Sequence, residues 1–126
     1  MTSINKRLVG KSYERIAGAF LEKQGYQILQ YNFYCKVGEI DIIAKHEQTL
    51  VFCEVKYRKN LQKGHPFEAI TKRKQQIISR CAMYYLTKMQ TELQVKMQVK
   101  TPDIRFDVIG IVDTQIEWIQ GAFEYQ

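Results

Sequence analysis

The sequence lacks several features that define whole classes of protein. It has no hydrophobic run near the ~20 residues that cross a bilayer, and the polar segment Met1 to Lys11 has no apolar stretch for a signal peptide. Its three cysteines, an odd number and widely spaced, argue against a disulfide framework or a zinc knuckle. The seven glycines are scattered and form no phosphate-binding loop. We therefore expect a reduced, cytoplasmic protein with no membrane association.

Acidic residues are nearly absent from one part of the chain. Between Lys56 and Arg80, Glu68 is the one acid among eight basic residues, so this window carries +7 while the whole chain of 126 residues carries +6. Such an excess is typical of a surface that faces a polyanion. A solvated basic loop and helix would give the same charge, and charge alone does not separate the two.

Hydrophobic periodicity predicts one small α/β domain, residues 1–126, with the order α-β-β-β-α-β-β and a mixed central sheet flanked by helices. Ser12 to Gln24 is a predicted helix, capped by Ser12 and ended by Gly25. A second helix should start at Phe67 or Thr71 and run to Thr87, and 89–101 has no clear period, which favours a loop or a fraying extension. The predicted strands are Tyr26 to Tyr34, a strand opening at Gly38, Leu50 to Arg58, Ile104 to Val112 and Gln115 to Ile119.

Two neighbouring strands carry an unusual set of charges. Residues two apart in a strand share a face, so Glu39 and Asp41 lie together and Glu54 and Lys56 lie together. A hairpin turn centred between residues 47 and 48 would put Asp41 opposite Glu54 and Glu39 opposite Lys56. Two carboxylates ~5 Å apart repel by about 3 kcal/mol at an effective dielectric near 20.

A divalent cation would relieve that repulsion, and oxygen ligands favour Mg²⁺ or Mn²⁺. Such an ion is a standard means of cleaving a phosphodiester, and Lys56 could stabilise the developing charge or orient the attacking water. The alternative is a hairpin whose charges simply face solvent.

These residues also resemble a known family. Gly38-Glu39-Ile40-Asp41, thirteen residues before Glu54-Val55-Lys56, resembles the motif of the restriction-endonuclease-like, PD-(D/E)xK nuclease superfamily. More closely, the chain resembles the YraN-like family of small bacterial proteins. The matching stretches cover nearly the whole chain in order: Glu14 with Ala17, Gly25-Tyr26, Asn32, 38–41, 51–58, 72–86, 105–108 and Ala122-Phe123. It departs at Tyr34, where relatives often carry arginine, so no phosphate contact is assigned there.

The resemblance implies a restriction-endonuclease-like fold, akin to Holliday-junction resolvases and archaeal tRNA-intron endonuclease-type domains. It implies that Asp41 and Glu54 are metal ligands, with the Val55 carbonyl as a possible third, and that Lys56 is the catalytic lysine. Glu14 would reach the same site from the first helix, and Glu39 would be a further ligand. A glutamate early in a helix also complements the helix dipole for structural reasons alone.

The leading hypothesis is a Mg²⁺- or Mn²⁺-dependent endonuclease acting on DNA, with branched DNA as a substrate by analogy. A homodimer is expected only if it cuts junctions symmetrically. The candidate nucleic-acid-binding residues are Lys56, Arg58, Lys72, Arg73, Lys74 and Arg80. The alternatives are a non-catalytic nucleic-acid-binding module and an adaptor for an acidic protein. Asp107 is interpreted as a buried structural group paired with Arg105 or a helix end.

Overall fold

The computed structural model describes residues 3–126, with side chains from residue 10 onward. Its helices are α1 (Ser3–Lys23), α2 (Lys72–Lys88) and α3 (Gln90–Met97), with a short 3-10 helix, η1 (Pro66–Ala69), ahead of α2. Its strands are β1 (Gln27–Cys35), β2 (Gly38–His46), β3 (Thr49–Arg58), β4 (Asp103–Val112) and β5 (Gln115–Phe123). The predicted α/β class and the order of the principal elements are confirmed.

The five strands form one mixed sheet in the order β1-β2-β3-β4-β5. Neighbouring strands are antiparallel except for the central pair, β3 and β4, which is parallel. A parallel connection needs a crossover, and η1, α2 and α3 supply it. The crossover brings the basic segment back across the strands that carry Asp41 and Glu54.

Each face of the sheet is covered by one helical layer. On one face, Ala17 and Leu21 of α1 pack with Val51 and Cys53 of β3. On the other face, residues of α2 and α3 pack with strand residues including Phe52. The predicted alternation along β3 is therefore confirmed, and α2 covers the face on which Phe52, Glu54 and Lys56 should lie.

The predicted start of one helix is wrong, and another helix was not predicted. The first helix starts at Ser3 rather than Ser12, so Ser12 lies inside it, although it ends near Gly25 (φ +91°) as predicted. The weakly periodic segment after Thr87 contains a further helix, α3, which buries Leu93 and Met97. Two buried residues in an eight-residue helix give too weak a periodic signal to predict it.

The cysteines also differ from expectation. Cys35 at the end of β1 and Cys81 on α2 form a disulfide with a Cα–Cα distance of 5.9 Å, while Cys53 is free and buried. The prediction that all three are reduced is therefore wrong for this pair. The two cysteines are 46 residues apart in sequence, so the fold brings them together where spacing gave no signal.

No helix in the described residues, 3–126, is long and apolar enough to cross a membrane.

Candidate active site

The β2–β3 hairpin has the predicted register but ends earlier than predicted. Its pairing runs from His46–Thr49 to Ile42–Cys53, which centres the turn between residues 47 and 48 as expected. Beyond Ile42 the paired ladder stops, so the predicted strand pairing of Asp41 with Glu54 and of Glu39 with Lys56 is wrong. In its place, the backbone N–H of Val55 donates a 2.8 Å hydrogen bond to Oδ2 of Asp41. The side chain of Asp41 thus continues the connection between the strands.

Beside this point, the side chains of β1 change from one face of the sheet to the other. Tyr31 packs in the cluster on the α1 face, whereas Phe33, two residues later, packs in the cluster on the α2 face. Residues two apart normally share a face, and the exception coincides with Asn32, whose φ is +52°. Asparagine adopts this left-handed conformation more readily than most other residues do.

The facing strand β2 switches in the same place. Ile42 packs on the α1 face and Ile40 on the α2 face, and they pair with Tyr31 and Phe33 respectively. Asp41 lies between them, at the level of Asn32. The carboxylate of Asp41 therefore lies where the side chains of β1 and β2 change from one face of the sheet to the other, close to both helical layers.

Glu14 reaches this site from α1. Its Oε1 accepts a 2.8 Å hydrogen bond from Nδ2 of Asn32. The carboxyl group of Glu14 is also close enough to Asp41 and Glu39 for their charges to raise its pKa. Burial is the main cause that raises its pKa to about 7, and the neighbouring acids add to the effect while Asn32 opposes it. Because α1 starts at Ser3, Glu14 is not in the first turn of its helix. The helix-dipole interpretation of Glu14 is therefore wrong.

Asp41 and Glu54 form the buried centre of the site. Their exposed fractions are 5% and 4%. Burial, hydrogen bonding to Glu54 and the charge of Glu54 together raise the pKa of Asp41 to about 9, although the N–H of Val55 opposes them. The two side chains are therefore placed to share a proton. We call Glu14, Glu39, Asp41 and Glu54 the carboxylate cluster.

The cation beside the cluster is Lys74, not Lys56. Nζ of Lys74, on the first turn of α2, lies 3.6 Å from Oε2 of Glu54. That distance makes an ion pair but not a hydrogen bond. Lys74, assigned from sequence to nucleic-acid binding, therefore also contacts the carboxylate cluster through Glu54.

The cluster retains acceptors that its neighbours do not satisfy. Oε2 of Glu39 and Oε2 of Glu54 are buried without a hydrogen-bond partner among the described residues. Buried carboxylate oxygens of this kind are costly unless a proton, a donor or a cation meets them. Within residues 3–126, however, no three His, Cys, Asp or Glu side chains are already grouped as a cation site. The donor set suits a hard divalent cation, but the side chains are not yet arranged around one.

Lys56 lies close by on the side of the sheet that η1 covers. Its partner in β4 is Gly110, where a Cβ would come within 2.9 Å of Phe67 in η1. Glycine at this position lets η1 approach the sheet closely. Since Lys56 is paired with Gly110, it lies beside η1, and it is on the same strand face as Glu54 because the two are two residues apart. Lys56 makes no ion pair within the described part of the chain.

The other candidate nucleic-acid-binding residues fall into two groups. Lys72, Arg73 and Arg80 are exposed along α2. Arg58 is half-buried at the end of β3, where Nη1 donates to the carbonyl of Tyr57 at 3.3 Å. The exposed cations are thus on the helix, and the strand contributes partly buried ones.

Asp107 is a structural group, as interpreted from sequence. It is fully buried, and its oxygens accept hydrogen bonds from Arg105 (2.8 and 2.9 Å), Trp118 Nε1 (2.9 Å) and the N–H of Gly121 (3.0 Å). Each carboxylate oxygen of Asp107 accepts two hydrogen bonds, so neither is available to bind a ligand.

Sequence reasoning missed two roles at the site. Asn32 was matched only as part of a family pattern, and Lys74 was assigned to phosphate contacts. A lone asparagine inside a strand of β-forming residues is a signal for a left-handed residue. No local pattern could indicate Lys74, because its partner Glu54 is twenty residues earlier in the chain.

Comparison with known proteins places these motifs in a family. A profile of the uncharacterised protein family UPF0102 matches residues 13–111. A UPF0102 protein of Lachnoclostridium phytofermentans is 45% identical over 121 residues, covering 96% of this chain and 97% of that protein. One of Vibrio parahaemolyticus is 40% identical over 124 residues, covering 97% of each. The matched range includes the whole carboxylate cluster.

Proposed function

The chain belongs to the UPF0102 (YraN-like) family, and we propose that it is a divalent-metal-dependent nuclease acting on DNA. One observation carries the proposal: the carboxylate cluster joins acids from α1, β2 and β3 in a buried site with unsatisfied oxygens. A fold does not retain this arrangement for stability, since crowded buried carboxylates destabilise it.

The residues that would hold the cation are Asp41 and Glu54, with Glu39 as a third donor. Their oxygens are the hard ligands that Mg²⁺ and Mn²⁺ prefer. Oε2 of Glu39 and Oε2 of Glu54 accept no hydrogen bond from the described residues, and Asp41 and Glu54 are crowded enough to share a proton. Binding would require that proton to leave and the ammonium of Lys74 to move away from Glu54.

A bound cation of this class polarises a phosphoryl oxygen and lowers the pKa of a ligated water. Lys56, on the same strand face as Glu54, would stabilise negative charge that develops on the phosphate. Glu14, whose pKa is about 7, would exchange a proton near neutral pH while Asn32 holds its carboxyl in place.

The charge of α2 supports a nucleic-acid substrate. The helix has no Asp or Glu in its 17 residues, and its first turn carries Lys72, Arg73 and Lys74 next to the carboxylate cluster. A phosphate backbone that contacted this turn would pass beside Glu54. Branched DNA is the substrate that the fold resemblance favours, in which case the working form would be a homodimer.

The test is a cleavage assay with Mg²⁺ or Mn²⁺ on branched, single-stranded and duplex DNA. We expect Glu54→Gln and Lys56→Gln to lose cleavage by at least about a hundredfold, the scale of one catalytic group, while DNA binding by Glu54→Gln persists. Glu68→Gln and Lys59→Gln remove exposed charges of the same types and should cleave as wild type does. Equal cleavage by wild type and Glu54→Gln would overturn the proposal.

A second candidate is nucleic-acid binding without catalysis. It is favoured by the position of Lys74, which neutralises Glu54 in the way a metal would. This candidate predicts that wild type and Glu54→Gln bind DNA equally and that neither cleaves any of the three substrates with either metal.

A further inference from the structure

A groove with basic and aromatic walls runs along α2, away from the carboxylate cluster. One part of it, about 340 Å³, is lined by the end of β1, the turn that follows and α2, through Tyr34, Lys36, Val37, Arg80, Tyr84 and Lys88. We call this the α2 groove. It continues toward the first turn of α2 in a second hollow of about 300 Å³ that Arg73, Gln76 and Arg80 line. Neither part is lined by an acidic residue.

The α2 groove presents two tyrosines to solvent. Tyr34 is 59% exposed and Tyr84 is 56% exposed. They are on opposite walls, and each has cationic neighbours: Lys36 beside Tyr34, and Arg80 and Lys88 one helical turn before and after Tyr84. Exposed aromatic rings next to cations are the combination on which unpaired bases stack while the cations meet the backbone phosphates.

The helical side of the α2 groove is a continuous stripe. Arg73, Ile77, Arg80, Tyr84 and Lys88 recur every three or four residues, so they lie on one face of α2. From Arg73 to Lys88 the stripe is about 22 Å long at 1.5 Å per residue. A stacked strand advances ~3.4 Å per nucleotide, so the stripe matches about six nucleotides.

The walls of the α2 groove are held in a fixed relation. The Cys35–Cys81 disulfide joins the residue after Tyr34 to the residue after Arg80, and Phe33 lies under Tyr84 with ring centroids 6.1 Å apart. The two tyrosines therefore keep their spacing without a ligand, which lowers the entropic cost of binding.

We infer that the α2 groove binds a single-stranded stretch of nucleic acid, with bases stacked on Tyr34 and Tyr84 and phosphates on Arg73, Arg80 and Lys88. Arg73, at the end of the groove in the first turn of α2, precedes Lys74, whose ammonium lies 3.6 Å from Oε2 of Glu54. The groove would thus lead an unpaired strand toward the carboxylate cluster. That this strand is a substrate rests on the proposed function, while the binding itself does not.

The exposed aromatic rings favour a nucleic acid over an acidic protein here, since both would satisfy the cations. An acidic peptide would need the cations alone, whereas the exposed rings of both walls suit bases. A DNA duplex buries its base faces in the stack and offers no base to Tyr34 or Tyr84. The α2 groove should therefore prefer single strands to duplexes of the same length.

The test is fluorescence anisotropy with a labelled oligothymidylate of about ten nucleotides, in EDTA so that no cleavage occurs. We expect the double variant Tyr34→Ser/Tyr84→Ser to bind at least about tenfold more weakly than wild type. The double variant Tyr34→Phe/Tyr84→Phe keeps both rings and should bind within about twofold of wild type. Tyr125→Ser removes a tyrosine that is 52% exposed outside the α2 groove and should have no effect.

Several results would overturn the inference. They are unchanged binding by the double serine variant, equal loss in the double phenylalanine variant, a duplex that competes as well as oligothymidylate, or polyglutamate that competes as well. Circular dichroism of each variant establishes that it is folded, and Arg80→Gln/Lys88→Gln provides an independent probe that should weaken binding and reduce its salt dependence.

Failure here is distinguishable from failure of the proposed nuclease activity. If the serine variant binds normally while Glu54→Gln abolishes cleavage by an otherwise active protein, the inference fails and the activity stands. If binding depends on the tyrosines but the wild type cleaves nothing, the α2 groove stands as a binding site and the activity fails.

Discussion

The backbone N–H of Val55 donates a 2.8 Å hydrogen bond to Oδ2 of Asp41, at the point where β2 and β3 stop pairing. This contact fixes the carboxyl of Asp41 beside Glu54, the residue before Val55. It lowers the pKa of Asp41, but burial and Glu54 raise it more strongly, to about 9. The sheet thus holds two acids together at an energetic cost that only a proton or a cation offsets.

That cost should make the stability of the metal-free protein depend on pH. The pKa values of Glu14 and Asp41 are raised from 4.5 and 3.8 to about 7 and about 9. A raised acid pKa favours the folded state when the group is protonated, so this contribution is complete below about pH 4 and is lost as pH rises toward about pH 9. We expect the free energy of urea unfolding of wild type to fall between about pH 5 and about pH 9. Asp41→Asn, which stays neutral, should show a smaller fall, and an equal fall would contradict the assignment.

The left-handed conformation of Asn32 predicts an unusual order of stability. Asn32→Gly removes the hydrogen bond to Glu14 but tolerates φ +52°, whereas Asn32→Ala loses the bond and is strained as well. Asn32→Ala should therefore unfold with a free energy about 1 kcal/mol lower than that of Asn32→Gly. Urea denaturation of both variants measures the difference. If Asn32→Ala were the more stable variant, the change of face in β1 would not depend on the left-handed conformation of residue 32.

Lys74 should compete with a divalent cation for Glu54. Since its ammonium lies 3.6 Å from a 4% exposed carboxylate, Lys74→Gln should tighten Mn²⁺ binding by about two- to fivefold, the scale of a weak ion pair. Lys72→Gln removes an exposed charge two residues earlier and is the matched control. Calorimetric titration with Mn²⁺ checks this, and weaker binding by Lys74→Gln would show that the lysine supports the cation site.

Asp107 should be a main determinant of stability and not of function. Asp107→Asn removes the buried charge that Arg105 pairs with, which should lower the free energy of unfolding by about 3 kcal/mol. Asp103→Asn, an exposed change on the same strand, is the control. A loss below about 1 kcal/mol in chemical denaturation would show that Asp107 does not anchor β4.

The disulfide should be measurable in two ways. In denaturant without reductant, the protein should have one titratable thiol, that of Cys53, rather than three. Closing a loop with a sequence separation of 46 corresponds to about 4 kcal/mol in the chain-entropy account, so Cys81→Ser should reduce stability by up to about that amount. Three titratable thiols in the oxidised protein would contradict the pairing.

Local patterns in the sequence predicted most of the fold. Val51, Cys53 and Val55 alternate with Phe52, Glu54 and Lys56 as predicted, because a strand covered on two sides fixes its register by alternation. The turn at Glu47 and Gln48 followed from the same pattern. The early start of α1 and the presence of α3 were not predicted, since neither segment has a strong apolar stripe and Ser12 imitates a helix cap.

The sequence indicated which acidic residues form the candidate site, but not how they are arranged. Asp41, Glu54 and Glu14 were identified from motif and resemblance, and the structure brings them together. The pairing of Glu39 with Lys56 was wrong because it assumed regular strands, whereas Asn32 and Asp41 mark a change of face. Lys74 and the Cys35–Cys81 pair depend on how α2 crosses the sheet, which no local pattern determines.

The central claim is that the carboxylate cluster binds a divalent cation, and the most direct test is calorimetric titration of the protein with Mn²⁺ and Mg²⁺. Wild type, Asp41→Asn and Glu54→Gln should be compared with Glu68→Gln, which removes an exposed carboxylate. The account predicts one site in wild type and in Glu68→Gln, and no binding in the other two variants. Wild type that binds neither ion, even with DNA present, would contradict it.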